Sequence, residues 1–448
     1  MSAPQFVRSP ELSGFTGLLH FARNPLGALE EARRLHGPLV KYRQPGVRVL
    51  LVMEPSLIES LLVGEASRLV KDQFTRHLSH IVGRGLLLSE GELWRRQRKL
   101  LAPSFQPKQI AGFAEVMVER TLAMLARFRD GEERDIHAEM MHLTLDVVVR
   151  TLFGSQLVRA DEVGIVLERA MTDYRALMMT WRAAFPPWFP FPARRRFKSS
   201  RTELRAIINE LIADRRRAPP AADLLSTLIA ARDDEGRGMS DEQLLDEAVT
   251  VFLAGHETTA LTLAYAIFLL SQHPDVREQL LAELDQVLGG APPRYEDAAR
   301  LGLCGAVVRE AMRLYPPAWA IGREASEDLS LSGCPIARGS QLIVLPWIVH
   351  RDPRWFVEPL AFRPQRWLNG ETDALPRFAY LPFGGGPRVC IGSHFALLEA
   401  VLLLSTIVSR VRLECAETSE LMLSPSITLR PASPLTMRVS WCSVRDAA

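Results

Sequence analysis

The amino-acid sequence predicts a mainly α-helical protein with small β-sheets, folded as a single large domain over residues 1–448. Most of the chain carries the apolar spacing of helices, and strand-like runs occur only near its two ends. At about 150 residues per domain, the length alone would suggest about three domains. No stretch between the helical runs is long or polar enough to be an interdomain linker. We expect a β-rich region at about 37–53, a helical bulk at about 90–410 and short C-terminal strands.

Local signals define the first elements. Leu39 to Arg43 and Val47 to Met53 are strand-like and flank Pro45-Gly46, which predicts a hairpin. Ser240 and Gln243 form a capping-box pattern ahead of a long amphipathic run that reaches about Gln272. The proline-rich segment 185–192 cannot be the interior of a helix, and we expect it to form a lid over the entrance of a pocket. The segments 218–222 and 232–239 have the composition of loops.

Three more helices are predicted in the second half of the chain. The first begins at Pro274 and ends at Gly289-Gly290. The second is the run Leu303 to Leu314, which Pro316-Pro317 ends, and the third follows Gly392.

Composition excludes several classes of protein. The 54 basic and 52 acidic residues nearly cancel, which disfavours a dedicated nucleic-acid binder, and the 47% hydrophobic content disfavours disorder. The first thirty residues lack the pattern of a secretory signal, and no 18 apolar residues run together as a spanning helix requires. The five cysteines form no CxxC pair, so neither a zinc cluster nor a disulfide framework is indicated. We expect a cytoplasmic protein without a transmembrane anchor.

The most informative segment is Phe383-Gly-Gly-Gly-Pro-Arg-Val-Cys-Ile-Gly392. It is not a phosphate-binding loop, because no Gly-Lys-Ser/Thr follows, and Val389 stands where a dinucleotide fingerprint needs glycine. It places Cys390 in a tight turn ahead of a helix, where N–H groups and the helix N-terminus favour a thiolate. A lone thiolate suits haem iron better than zinc. A free cysteine is more often just a small buried residue, but the glycines, Phe383 and Arg388 favour a metal ligand.

This decapeptide resembles the haem-binding loop of the cytochrome P450 family, Phe-Gly-x-Gly-x-Arg-x-Cys-x-Gly, at every fixed position. The resemblance implies that haem b is the cofactor and that Cys390 is its axial thiolate ligand. It also implies that Arg388 binds a haem propionate, that Phe383 packs beside the sulfur and that Gly392 completes the loop. The haem is then expected between the long oxygen-binding helix and the helix that follows the cysteine loop.

Two further segments resemble family motifs that contact the haem. Trp94 and Arg98, four residues apart in a helical run, correspond to residues that donate to a propionate, and Arg323 resembles a further propionate partner. The four basic residues between Arg95 and Lys99 could equally be a solvated helix face, or could help to dock an acidic redox partner.

The long helix contains Ala254-Gly-His-Glu-Thr-Thr259, which resembles the family's oxygen-binding kink. It is not a zinc-protease HExxH motif, because Ala260 stands at the second histidine position. By the resemblance, Thr258 hydrogen-bonds the oxygen that the haem binds, and Glu257 supplies protons. We expect Ala254 and Gly255 to border the cofactor, since a glycine lets a planar group approach the backbone. His256 is expected to be a solvent-side or packing residue.

A third resemblance concerns structure rather than catalysis. Glu310 and Arg313 lie three residues apart, which alone would indicate a surface pair. In the family, residues matching Glu310, Arg313 and Arg366 form a buried network that braces the haem loop. Gln365 stands where glutamate is common, so an ion pair at that position is not expected.

The resemblance implies a haem-thiolate monooxygenase that inserts one oxygen atom of O₂ into a lipophilic substrate by hydroxylation or epoxidation. Terpenoid, steroid-like, fatty-acyl and polyketide compounds are all compatible with it. The segment after Cys390 is too short for a reductase domain, so electrons from NAD(P)H are expected through a separate ferredoxin or flavodoxin-type donor. A peroxygenase or isomerase, or a non-catalytic haem sensor, is the alternative. Both are disfavoured by the pair Glu257 and Thr258.

The substrate pocket is expected to be apolar. Its candidate residues, chosen by position relative to the motifs, are Ile81, Val82, Leu86, Leu87, Met178, Met179, Trp181, Phe252, Ala320, Ile321 and Ile427.

Overall fold

The computed structural model describes residues 21, 23–44, 47–154, 160–178, 191–219, 223–415 and 421–442. Helices make up most of the described chain and four small sheets accompany them. The predicted fold class, mainly α with small β-sheets, is therefore confirmed.

The α-helices are α1 (Pro25–His36), α2 (Pro55–Glu59), α3 (Gln73–Arg76), α4 (Ser79–Val82), α5 (Gly91–Leu101), α6 (Pro107–Ala111), α7 (Ala114–Leu125), α8 (Ile136–Phe153), α9 (Ala160–Met178), α10 (Pro192–Arg217), α11 (Leu224–Ala230), α12 (Asp241–Gln272), α13 (Pro274–Leu288), α14 (Gly302–Leu314), α15 (Pro346–Val349) and α16 (Ser393–Val408). A π-helical turn spans Ser60–Gly64. Short 3-10 segments span Ala66–Arg68, Ala102–Phe105, Tyr295–Ala299, Pro364–Trp367 and Gly386–Arg388.

The strands are β1 (Leu39–Gln44), β2 (Val47–Val52), β3 (Leu69–Val70), β4 (Glu133–Asp135), β5 (Ile321–Ala325), β6 (Leu329–Leu331), β7 (Cys334–Ile336), β8 (Gln341–Val344), β9 (Val411–Cys415), β10 (Leu423–Pro425), β11 (Leu429–Pro431) and β12 (Thr436–Trp441). The largest sheet has the order β1-β2-β8-β5-β3, in which only the pair β2 and β8 is parallel. The sheet β4-β12-β9 and the pairs β6-β7 and β10-β11 are antiparallel.

The predicted hairpin is present as β1 and β2, with Leu39 opposite Val52; its Pro45-Gly46 turn lies outside the described residues. Strands were expected near the two ends of the chain, and the structure also has β4 and the four strands β5 to β8 within the helical bulk expected at about 90–410. These strands are three to five residues long. Such short runs show too little alternation to be separated from loops by pattern alone.

The long helix α12 begins and ends where its signals indicate. Ser240 Oγ accepts from the N–H of Gln243 at 3.2 Å, and the N–H of Ser240 donates to Gln243 Oε1 at 3.1 Å, which completes the capping box. The helix then runs to Gln272. By length and composition it could span a membrane, but 83% of its most apolar window is buried inside the protein. It is therefore the central core helix of the described fold.

Two hydrophobic cores meet along α12. Leu244 to Leu253 pack in one with α9, α10 and α11, and Ala260 to Leu270 pack in the other with α7, α8, α14 and α16. Between these stretches, Ala254 is exposed, and Gly255 and Thr258 are partly exposed. We call these three residues the α12 opening. A third core lies under the five-stranded sheet.

Candidate functional site

The cysteine loop is held in a single conformation by contacts with distant segments. Gly386 has a φ of +67°, and a Cβ added to it would collide with the carbonyl oxygen of Leu62. The N–H of Cys390 donates to the carbonyl of Phe383 at 3.0 Å, which closes the loop. The Phe383 side chain packs against the core around α16. Glycine is therefore required at Gly386 by the approach of another backbone.

Cys390 is an exposed residue. Burial raises the pKa of its thiol, while the N–H of Gly392 and the charge of Arg98 lower it by less. The N–H donor and Arg98 therefore favour the thiolate, as the sequence analysis expected of the loop, and desolvation opposes them. A bound cation would favour the thiolate, since metal coordination displaces the proton. All five cysteines are free thiols.

A cluster of cations lies beside the loop. Arg388 forms an ion pair with Glu90, and its guanidinium lies 4.2 Å from the centre of the Trp94 ring. Its Nη1 is buried and has no hydrogen-bond partner among the described residues. Arg323 is buried and donates to the carbonyl of Gly322 at 2.7 Å.

Lys71, which the sequence analysis missed, belongs to the same cluster. With Glu90, Arg323 and Arg388 it lines a small cavity. Burial and the charges of Arg323 and Arg388 lower its pKa to about 7. It follows two apolar residues in a short strand, so no local pattern marks it as a ligand.

This cation cluster fits the carboxylates of a haem. Glu90 is the carboxylate that lines the cavity with Lys71, Arg323 and Arg388, and Asp72 lies near Lys71 and Arg323. Among the described residues, Nη1 of Arg388 lacks a partner. Anionic groups placed there would satisfy that nitrogen and oppose the mutual repulsion of the cations. Arg98, the fourth expected propionate partner, donates instead to the carbonyl of Val389 at 2.7 Å and so holds the cysteine loop.

The α12 opening presents small side chains. Thr258 Oγ1 donates to the carbonyl of Ala254 at 3.0 Å, so its hydroxyl stays close to the helix. A Cβ added to Gly255 would lie 3.2 Å from Val148 Cγ2. The absence of a side chain at Gly255 therefore lets α8 approach α12 closely, and whether Gly255 also borders the cofactor stays a prediction. His256 is a buried packing residue, with Nδ1 2.6 Å from the carbonyl of Phe252.

Glu257 lies in a buried ion pair that the sequence did not predict. Its Oε1 accepts from Nε and Nη2 of Arg430, at 2.6 and 2.5 Å, and from the hydroxyl of Thr428. Burial alone would raise the pKa of this carboxyl, but Arg430 and Thr428 outweigh it and lower the pKa. Glu257 is therefore ionised and engaged by β11, and can take up a proton only when Arg430 moves away.

Glu310, Arg313 and Arg366 form one buried network. Arg313 donates Nε and Nη2 to the Glu310 carboxylate at 2.9 and 2.8 Å, Arg366 Nε donates to it at 3.1 Å, and Trp367 Nε1 at 2.9 Å. All three charged side chains are essentially inaccessible. Gln365 forms no ion pair and instead donates to Gln279 at 3.0 Å.

This network reaches the cysteine loop through His350. Arg313 Nη1 donates to the carbonyl of His350 at 2.9 Å, and His350 Nε2 accepts from the N–H of Leu381 at 2.9 Å. The carbonyl of Leu381 accepts in turn from the N–H of Gly384 at 3.0 Å. Burial and two nearby arginines lower the pKa of His350 to about 3, so Nε2 stays an acceptor.

The cationic stretch of α5 is partly neutralised. Arg96 pairs with Asp233 at 2.7 Å, and Lys99 pairs with Asp234. Arg98 is bound to Val389, and Arg95 is exposed. The loop before α12 therefore offsets part of the positive charge of this stretch, and its part in docking an acidic redox partner stays a prediction.

Most of the candidate pocket residues lie near the α12 opening. Ile81, Val82 and Phe252 are buried in the core that contains the first half of α12, and Leu86, Leu87 and Ile427 pack against it. Ala320 and Ile321 pack against the sheet core instead. The side chain of Met178, both Met179 and Trp181, and positions 185–190 of the expected lid lie outside the described residues.

Comparison with known proteins agrees with this geometry. A cysteine in a closed glycine loop, beside a cation cluster and a long core helix, is the arrangement expected of a haem-thiolate protein. The family model of Cytochrome P450 matches residues 8–438. The chain is 36% identical to cyclooctatin synthase of Streptomyces melanosporofaciens, covering 94% of this chain and 92% of that protein. It is 35% identical to cyclooctat-9-en-7-ol 5-monooxygenase of the same organism, covering 84% and 83%. It is 32% identical to pentalenene oxygenase of Streptomyces avermitilis, covering 90% and 88%. The chain belongs to the cytochrome P450 family and is a monooxygenase of that family.

Replacement of Glu310 tests the buried network. We expect Glu310→Gln to lower the free energy of unfolding by about 3–5 kcal/mol, because it leaves Arg313 and Arg366 buried without a counter-charge. Chemical denaturation of the haem-loaded protein measures this. Gln365→Ala, in the segment that contains Arg366, is the control and should change it by less than about 0.5 kcal/mol. A loss below about 1 kcal/mol for Glu310→Gln would contradict a dominant role for this carboxylate.

Another buried carboxyl predicts that the stability of the protein depends on pH. Glu399 of α16 is fully buried, and burial raises its pKa to about 8 from 4.5, with weak relief from Thr259 of α12. Between these values the unfolded chain has lost a proton that the folded protein keeps. The stability of the wild type should therefore fall as pH rises, by up to about 1.4 kcal/mol per pH unit, relative to Glu399→Gln. Thermal unfolding of both proteins from pH 5 to 8 measures this difference in stability. The control is Glu278→Gln, at an exposed site, whose stability should follow that of the wild type over the same pH range.

Proposed function

We propose that this monooxygenase oxidises a terpenoid and receives its electrons from a separate ferredoxin or flavodoxin-type donor in the cytoplasm. The α12 opening carries the proposal, because it exposes Ala254 and Thr258 between two otherwise closed apolar cores. Apolar walls with few polar groups suit a lipophilic substrate. The names of three relatives designate synthesis of cyclooctatin, monooxygenation of cyclooctat-9-en-7-ol and oxygenation of pentalenene, and these compounds are terpenoids. This supports a terpenoid over the fatty-acyl, steroid-like and polyketide alternatives.

Each residue of the site has a separate role in the proposed reaction. When bound, haem activates O₂ for insertion of one oxygen atom into a C–H bond or an alkene. Cys390 would supply a sulfur ligand to its iron, and Lys71, Arg323 and Arg388 would hold its carboxylates. Thr258 Oγ1, at the α12 opening, can donate a hydrogen bond there when it releases the carbonyl of Ala254. Glu257 would take part in proton delivery only after Arg430 leaves its Oε1, so the ion pair limits when a proton arrives.

Replacement of Thr258 tests this function with isotopic oxygen. With a surrogate ferredoxin and reductase, wild-type protein supplied with ¹⁸O₂ should give a terpenoid product that contains one labelled atom. Thr258→Ala should bind haem normally and consume reductant, yet lose at least about tenfold in product per reductant, because the positioned hydroxyl is gone. Thr262→Ala, whose hydroxyl donates to the carbonyl of Thr258 at 2.9 Å, is the matched control.

The outcomes are distinct. Product without label in the wild type would exclude insertion of oxygen from O₂ and favour a peroxygenase or an isomerase. Unchanged coupling in Thr258→Ala would remove the role assigned to its hydroxyl.

A further inference from the structure

Glu247 is a buried carboxyl in the first half of α12. Its Oε2 accepts from the N–H of Leu86 at 2.9 Å. Its Oε1 is buried and has no hydrogen-bond partner among the described residues. A buried polar atom without a partner is costly, so this unpaired carboxyl oxygen, in the helix that carries the α12 opening, indicates a ligand group that would satisfy it.

Glu247 lies on the same side of α12 as the opening. Ala254 and Thr258 follow Glu247 by about two and about three helical turns, which brings both to within about 20° of Glu247 around the helix axis. The helical rise places Ala254 roughly 10 Å further along. A sesquiterpene- or diterpene-sized molecule over the α12 opening can therefore extend to Glu247.

The carboxyl is held in place by the segment before α5. Asp246 accepts from the N–H of Arg84 at 2.7 Å and pairs with Arg205 of α10 at 2.8 Å. A Cβ added to Gly85 would collide with the hydroxyl of Thr250, so this segment lies directly against α12. Leu86, which bonds Glu247, packs against the same core as Phe252. Glu247 is thus a fixed polar point among apolar pocket residues.

Its protonation state determines the partner that it can bind. Burial raises the pKa of Glu247 to about 8; the hydrogen bond from Leu86 opposes this, and the charge of Asp246 adds to it. The carboxyl is therefore mostly protonated at neutral pH. Because Oε2 already accepts an amide hydrogen, the proton belongs on Oε1, which is then a donor.

We propose that Glu247 Oε1 donates a hydrogen bond to an oxygen atom of the substrate and thereby sets which carbon lies over the α12 opening. The preferred substrate is then a terpenoid that already carries a hydroxyl, carbonyl or ether oxygen, so an earlier oxygenation or hydration must supply it. This inference rests on the proposed function. A site built to hydrogen-bond a ligand oxygen rejects the analogue that lacks it, which provides a direct test.

Two ligands that differ by one hydroxyl group distinguish recognition of a ligand oxygen by Glu247 from a purely structural role of this residue. The sesquiterpene alcohol cedrol and the hydrocarbon cedrane share a skeleton, and their Kd values follow from titration of the Soret band of the haem-loaded protein. We expect the wild type to bind cedrol at least about tenfold more tightly than cedrane. Glu247→Met should abolish this preference by weakening cedrol only. Glu247→Gln should keep it, because its amide can accept from Leu86 and still donate to the ligand.

A wild type without preference for cedrol, including one that binds neither probe, would overturn the inference. Equal weakening of both ligands in Glu247→Met would overturn it too, because that result indicates structural support alone. If Glu247→Met does not fold, the wild-type preference and its retention in Glu247→Gln decide the question. The carbon monoxide spectrum of the reduced protein is independent of this test, so the haem-thiolate assignment can stand while the inference fails.

Discussion

The carboxylate of Glu310 is the constraint on which the cysteine loop depends. It balances two buried guanidinium groups, and those groups in turn satisfy carbonyls of the segment before the loop. His350 connects this network to the cysteine loop, because it accepts hydrogen bonds both from Arg313 and from the N–H of Leu381 in the turn before the loop. Breaking such a set is costly, since an unpaired charge would remain buried. The loop is therefore positioned by charges far from the sulfur, with Arg98 and the backbone of Leu62 fixing its other side.

The long helix provides the second half of the site by leaving a gap between two cores. Along it, three carboxyl or hydroxyl groups have different surroundings. Glu247 is buried with one oxygen unpaired, Glu257 is neutralised by Arg430, and Thr258 bonds only its own helix. Burial therefore favours a proton on Glu247, while pairing removes one from Glu257. Two acids on one helix are thus held in different protonation states by their surroundings.

Local pattern was enough to predict much of the fold. The capping box at Ser240, the hairpin before Met53 and the left-handed stop at Gly289 are all encoded by neighbours in sequence, and all three are present. What the sequence could not predict depends on distant segments. Arg430 meets Glu257 across more than 170 positions, Lys71 meets Arg388 in space only, and Asp233 neutralises Arg96 from another loop. The protonation of Cys390 depends on distant segments too, since they determine how far its thiol is desolvated.

The central claim is that Cys390 is the iron ligand, and the carbon monoxide spectrum of the reduced protein tests it most directly. The wild type should show the red-shifted Soret band that is typical of thiolate ligation. Cys390→Ser should lack this band, whereas Cys415→Ser, at a free thiol in β9, should keep it. An unchanged band in Cys390→Ser would contradict the assignment.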